Sequence, residues 1–190
     1  RSLSSAASDV YKRQLTYRGY KVQDLCEKCI FEEVAYLVLN GELPRSKELK
    51  KFINEERNNR KLSKQILNDI KNMPKKAHPM DAIRSAVSLM GLEDKDAGDN
   101  SPKANMRKAM RIFAQTPTAV AAYFRARKGK KFIPPNKKLS YSENFFHMMF
   151  GKVPKKEIVE AFDVSMILYA EHSFNCLLYT SDAADERLRV

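Results

Sequence analysis

The sequence predicts an all-α protein with one short β-hairpin near its start, on three observations. Apolar residues recur at helical spacing along most of the chain, as in Leu49, Phe52 and Ile53, then Leu62, Ile66, Leu67 and Ile70. Glycine and proline fall mainly between these runs, where they stop or start helices. Strand-like alternation is confined to "LTYRGYKVQDL", around Gly19. No internal repeat is present.

Taken in order, "LTYRGY" reads as the hairpin and "KVQDLCEKC" as a first helical run. "IFEEVAYLVLNGELP" follows, a helix with Val34, Leu37 and Val38 on its apolar side. Gly41 suits the left-handed position after its end, and Pro44 prevents continuation. Ser46 is suited to cap the next helix. Pro74 and Pro79 bracket a loop, and Pro79 starts "PMDAIRSAVSLMG", with Gly91 as its expected stop. "LEDKDAGDNSP" reads as a polar loop and the least ordered internal piece. Ser101 and Pro102 open a long helical stretch in which Pro117 is expected to make a kink or a break, because proline lacks the amide donor. Gly129 ends it. "GKKFIPPNKK" is a loop, "SYSENFFHMMFG" a compact apolar helix, and Pro154 begins the last helix, expected to run into "YAEHSFN".

At 190 residues, 43% hydrophobic and 31% charged, the chain has the composition of a globular domain. No apolar run reaches the roughly 18–20 residues needed to span a bilayer, and no charged-then-apolar leader opens the chain, so the expected compartment is the cytoplasm. The formal charge of +12 raises a polyanionic partner. Lysines are spread over many helices, however, with only pairs such as Lys50-Lys51 and Lys155-Lys156. A basic helical binding module is therefore the reading from a different functional class, and no nucleic-acid or membrane partner is expected. "CEKC" at 26–29 has the spacing of a zinc half-site or a redox pair. No second Cys/His pair completes a zinc site, and no strand precedes the motif as in thioredoxin-like units, so no metal is expected. Cys26 and Cys29 share a helical face with Val22 and Leu25, which suits structural thiols.

Both ends have a separate origin on this reading. "SSAASDVYKRQ" at 4–14 back-translates to a transposase-type sequencing adapter, and "CLLYTSDAA" at 176–184 matches the opposite strand of the same adapter. Residues 1–14 and 176–190 are thus expected to be adapter-derived and are set aside for fold reasoning. They carry +2 and −1, so the 161 residues from 15 to 175 retain +11, and the basicity belongs to the insert.

Five segments, "LTYRGYKVQDL", "FEEVAYLVLNGELP", "HPMDAIRSAVSLMG", "LSYSENFFHMMFG" and "DVSMILYAEHSFN", occur in an order and approximate spacing that resemble the citrate synthase family. The resemblance covers nearly all of 15–175 and implies the N-terminal part of such an enzyme's multi-helical large domain. It implies an acyltransferase that condenses acetyl-CoA with oxaloacetate to citrate and CoA in the tricarboxylic acid cycle. It also implies a cytoplasmic homodimer that takes the acyl-CoA as substrate and needs no separate cofactor. In such enzymes a carboxylate removes a proton from the thioester methyl group, and a histidine supports the resulting enol. Other histidines and arginines bind and polarise the keto acid.

"YAEHSFN" at 169–175 resembles the family's H-A-D-H-E-x-N motif, which makes His172 the expected oxaloacetate-binding residue. Tyr169 stands where the motif's first histidine would be, and Ser173 where an acidic residue would be. The "YAEH" form resembles 2-methylcitrate synthases, which use propionyl-CoA, and that is the alternative within the class. No counterpart of the proton-abstracting aspartate, the enol-binding histidine or the keto-polarising histidine occurs before Asn175. No catalytic residue is assigned, and the fragment alone is expected to be inactive. His78 reads as a helix-start residue, and His147 as packing. Met148, Met149 and Phe150 read as core or subunit-interface surface. Arg125 and Arg127 suit either CoA phosphates or compensation of a helix C-terminus.

Overall fold

The computed structural model describes the backbone of residues 6–9 and Gln14 and all of residues 15–171. These fall into two compact units, one formed by residues up to Arg45 together with those from Asp163 onward, the other by Ser46–Phe162.

The first unit opens with a three-stranded antiparallel sheet, β1 (Ala6–Asp9), β2 (Gln14–Tyr17) and β3 (Tyr20–Lys21), in sequential order. The expected hairpin is β2–β3, with Tyr17 opposite Tyr20. Arg18 and Gly19 both have positive φ, 49° and 89°, the two-residue turn whose twist matches the strands it joins. Glycine adopts that conformation freely. Arg18 is held there with its guanidinium donating to the Val38 carbonyl at 3.2 Å. β1 was not expected, since it lies in the segment read as adapter. Backbone pairing of Ala6–Asp9 along the free edge of β2 needs no particular side chains, so composition gives no warning of it.

Two helices follow, α1 (Val22–Lys28) and α2 (Phe31–Asn40). Val22 and Leu25 of α1 are buried, while Cys26 and Cys29 are free thiols, half-buried, and burial pushes both above the usual thiol range. At the start of α2 the Glu33 carboxylate reaches back to accept from the Ile30 amide at 2.9 Å. Gly41, at φ +94°, closes α2 by donating to Leu37 O at 2.8 Å, as the sequence leads one to expect.

The second unit holds α3 (Ser46–Asn59), α4 (Lys64–Asn72), α5 (Pro79–Leu92), α6 (Pro102–Arg127), α7 (Tyr141–Phe150) and the first part of α8 (Lys156–Leu168). Its core is the meeting of α4, α5 and α6 through Ile66 and Ile70, Ala82, Ala86 and Met90, and Ala119, Ala122 and Tyr123. Alanines on the facing sides of α5 and α6 let the two helices approach closely, and the larger residues fill the remaining space. Beside this core, Phe113 stacks on Tyr141 with ring centres 4.8 Å apart and planes 12° from parallel.

Of the kink or break expected at Pro117, the break does not occur, and α6 runs unbroken through it. Proline at 117 removes the amide that would bond the carbonyl of Phe113, four residues back. The Tyr141 hydroxyl takes that place, donating to Phe113 O at 3.2 Å. Thr116 Oγ1 also donates to Ile112 O at 2.6 Å. Tyr141→Phe should leave the carbonyl without this donor and cost about 1–2 kcal/mol in a denaturation titration. A loss below a few tenths would mean that Pro117 is accommodated by other means.

The polar loop between α5 and α6 is also tied down. Arg111 forms two-pronged hydrogen bonds to Asp94 at 2.6 and 2.8 Å and reaches Asp96 at 2.6 Å, while Arg107 holds Asp96 at 2.7 and 3.0 Å. These guanidinium contacts hold the Asp94 and Asp96 carboxyls below the usual carboxylate range. Carboxylates whose values fall on folding stabilise the fold above their ordinary value near 3.8 and lose that effect as pH falls through the lower folded values. Amide-exchange protection across residues 94–101 is therefore expected to hold down to about pH 4 and to drop below it. Asp96→Asn should flatten that acid step. A loop equally protected at pH 6 and pH 2 would contradict the assignment.

A buried ion pair anchors the next connection. Arg60 and Glu56, each 1% exposed, are joined by two hydrogen bonds of 2.8 and 2.7 Å. Arg60 also donates to the carbonyls of Asn136 and Leu139 at 2.9 and 3.0 Å, fixing the loop that precedes α7. Its own carbonyl accepts from Thr118 Oγ1 at 2.7 Å. Ser140 and Glu143 then form a capping box at the start of α7, and Gly151, at φ +78°, ends it.

Candidate functional site

The sequence places its functional emphasis at the end of α8. The helix stops at Leu168, and Tyr169–Ala170 form a turn, so "YAEH" begins beyond the helix and not within it as expected. Two long-range hydrogen bonds fix this end within the first unit. The Asp163 carboxylate accepts from the Phe31 amide at the start of α2, at 3.0 Å. An acidic side chain there meets amides that the helix itself does not bond, and the positive end of the helix dipole. The Tyr17 hydroxyl, 151 residues upstream in sequence, donates to Leu168 O at 2.9 Å, and burial keeps its phenol above its ordinary value. Tyr169 itself is 82% exposed. His172 lies outside the described residues, one position after Glu171, which is described.

Asp163 is thus a helix-capping group. His78 caps α5, its Nδ1 accepting from the Met80 amide at 3.3 Å, which is the expected helix-start role. His147 is half-buried within α7, and Met148 is fully buried with Thr118 Oγ1 at 3.6 Å from its sulfur. Among the described residues no group of three or more His, Cys, Asp or Glu comes together to hold a metal ion.

The two arginines weighed for phosphate binding have other partners. Arg125 donates to the carbonyls of Lys131 and, at 3.1 Å, Met149. Arg127 donates to Lys75 O at 2.9 Å and lies over the Tyr123 ring at 5.7 Å. Tyr123 in turn donates to Pro74 O at 2.9 Å and Ala77 O at 3.3 Å. Both arginines therefore tie backbone carbonyls outside α6 to that helix, two in loops and one in α7.

What the sequence did not reveal is the cavity these staples frame. It measures about 590 Å³ and lies between α4 and the C-terminal part of α6, with Lys71, Lys75, Lys130 and Lys131 on its lining. The four lysines sit on two stretches more than 50 residues apart, and only the packing of α4 on α6 unites them. The spacing of Lys71 and Lys75 and the adjacent pair at 130–131 were the sole hints available in sequence.

The class defined by this fold is a mainly helical protein whose final described helix is pinned at both its middle and its end before a histidine-bearing segment. The family model described as "Citrate synthase, C-terminal domain" matches residues 1–178. Over 167 residues the chain is 47% identical to a 2-methylcitrate synthase of Mycobacterium tuberculosis, aligning 88% of this chain with 42% of that protein. It is 45% identical over 167 residues to a citrate synthase of Mycolicibacterium smegmatis, covering 88% and 44% of the two. Among solved structures, citrate synthase from Pyrobaculum aerophilum superposes with a TM-score of 0.84 at 34% identity, covering 90% of this chain and 45% of that one. The chain belongs to the citrate synthase family and spans less than half the length of these relatives.

Proposed function

We propose that residues 15–175 are the N-terminal part of an enzyme that condenses acetyl-CoA with oxaloacetate to give citrate and CoA, a step of the tricarboxylic acid cycle in the cytoplasm. Residues 1–14 and 176–190 are adapter-derived on this reading. The observation that supports it is the anchored end of α8: Asp163 and the Leu168 carbonyl are each held by a long-range bond just ahead of a segment resembling the family's H-A-D-H motif. Substrate binding gains from such support, because a positioned group loses little further entropy when it engages its ligand.

His172 acts here as a binding residue. Its imidazole donates a hydrogen bond to the dicarboxylate and, when protonated, adds charge attraction. Proton abstraction from the thioester and stabilisation of the enol fall to a carboxylate and histidines whose motifs have no counterpart in 15–175. The 190-residue chain is accordingly inactive by itself. The test is turnover of acetyl-CoA and oxaloacetate by the chain continued past Asn175, with thiol release as the readout.

A second reading, 2-methylcitrate synthase with propionyl-CoA, is favoured by Tyr169 in place of the motif's first histidine. The 47%-identical relative bears that name as well. Comparing kcat/KM for propionyl-CoA and acetyl-CoA in the continued chain separates the two, the larger value naming the substrate. The complete protein works as a homodimer on this proposal. Met80 and Leu92 of α5 are 66% and 83% exposed and supply apolar surface suited to a second copy. Sedimentation at micromolar concentration checks it, and a monomer would contradict it. A basic binding module finds support only in the total charge.

A further inference from the structure

A smaller pocket, of about 370 Å³, opens on α3 and is lined by Lys50, Ile53, Asn54 and Arg57 of that helix and by Lys137 of the loop before α7. The four α3 residues fall at i, i+3, i+4 and i+7, so they share one stripe of the helix. Phe52 and Glu56 are buried and turn the other side of α3 inward. Among these lining residues three are cations and none is an aspartate or glutamate.

Arg57 sets this pocket apart. Its Nε is buried and has no hydrogen-bond partner. Buried N–H groups are nearly always satisfied, and one left bare on a charged side chain is costly, so it marks a place that a ligand atom can complete. Glu56, its neighbour in sequence, has both carboxylate oxygens engaged by Arg60, at 2.8 and 2.7 Å.

A basic residue in the last turn of a helix ordinarily compensates the partial negative charge there, and Arg57 lies in the last turn of α3. That explanation does not reach Lys50, in the first half of the helix, or Lys137, on another segment. One helix end offers about half a negative charge against the three positive ones. Lys137 is also held in place. Its Nζ donates to Asn58 Oδ1 at 2.6 Å, and the buried Arg60 fixes the carbonyls of Asn136 and Leu139 on either side of it. An ammonium has three N–H groups, so Lys137 keeps two for a ligand. A ligand therefore meets charges that are already positioned.

The lining also sets the size and polarity of the ligand. Ile53 alone among these residues is apolar, which leaves no surface for a flat or hydrocarbon group to rest on. We propose that this pocket binds a compact oxyanion of two negative charges, one oxygen accepting from Arg57 Nε and the others lying between Lys50 and Lys137. A phosphate group and a small dicarboxylate share this chemistry, and the edge of a guanidinium suits the paired oxygens of either.

The experiment is lysine acetylation footprinting of the 190-residue chain, read by mass spectrometry, with inorganic phosphate, malonate or acetate at one ionic strength set by chloride. Phosphate or malonate should protect Lys50 and Lys137 and leave Lys51 and Lys103 unprotected, both of which are exposed and outside the pocket. Acetate, with a single charge, should protect little. Protection by phosphate alone assigns a phosphate group, protection by malonate alone a dicarboxylate, and protection by both a compact dianion of either kind.

Arg57→Gln should weaken binding of the protecting anion about tenfold or more, the equivalent of one hydrogen bond to a charged group. Arg57→Lys keeps the charge without the Nε donor and should recover only part of that loss. Lys51→Gln, the same change in charge beside the pocket, should leave binding intact. No protection by either dianion, equal protection of Lys51 and Lys103, acetate as effective as the dianions, or full binding by Arg57→Gln would overturn the proposal. The footprint needs no variant, so a misfolded mutant cannot hide the answer. Binding is read and not turnover, so failure here is distinguishable from failure of the proposed reaction.

Discussion

Replacing Arg60 with alanine is expected to destabilise the chain by about 3–5 kcal/mol, the usual cost of leaving a buried charge without its partner. Glu56 would remain almost wholly buried, and the carbonyls of Asn136 and Leu139 would lose their donor together. A domain of ordinary stability has about 5–15 kcal/mol in total, so much of the folded population would be lost on mild heating. Replacing Glu56 and Arg60 together with leucine and methionine should cost less than the single change, because no orphan charge is left. Denaturant titration of the three proteins checks the order. If Arg60→Ala lost under 1 kcal/mol, the pair would not be the anchor of the 129–140 loop.

The other large effect concerns His172. In the chain continued past Asn175, His172→Ala is expected to lower kcat/KM about 10²–10³-fold, the scale seen when one positioned donor to a reacting carboxylate or carbonyl is removed. A binding role requires that much of the loss appear as a raised KM for oxaloacetate, with KM for the acyl-CoA little changed. Unaltered kinetics would remove His172 from the substrate-binding role. Tyr17→Phe offers a graded comparison. It removes the donor to Leu168 O without touching the ligand, and should shift KM in the same direction by a smaller factor.

The helices that the sequence revealed most plainly are those with local signals. Gly41 closing α2, Pro79 opening α5, and Ser101 with Pro102 opening α6 each act through neighbours within a turn, so residue identity alone suffices. The features that escaped depend on partners far away in the chain. Pro117 argued for a kink or a break, and a donor that meets the freed Phe113 carbonyl comes from Tyr141, distant in sequence. The loop at 93–101 looked loose because its charges carry no sign of Arg107 and Arg111 reaching them. Arg60 reads as one more surface cation until Glu56 and two loop carbonyls enclose it. Strand β1 was missed because a backbone ladder needs no sequence pattern.

Of the candidate site, His172 came from a motif and not from periodicity, and the described residues end just before it. What the structure adds is the anchoring of α8, whose Leu168 carbonyl and Asp163 carboxylate accept from the Tyr17 hydroxyl and the Phe31 amide. Neither could be read from the sequence, since hydrogen bonds across 132 and 151 positions leave no local trace. The cationic cavity was illegible for the same reason. Its lysines belong to separate segments, and each alone looks like a solvated helix-end charge.

The central proposal is that this chain is the N-terminal part of a carbon–carbon bond-forming acyltransferase whose proton-transfer groups lie elsewhere. The most direct measurement is release of CoA thiol from acetyl-CoA or propionyl-CoA with oxaloacetate, run in parallel on the 190-residue chain and on the chain continued past Asn175. The expected result is turnover by the continued chain and none by the shorter one. Turnover by the 190-residue chain, or none by the continued chain with either thioester, would contradict it.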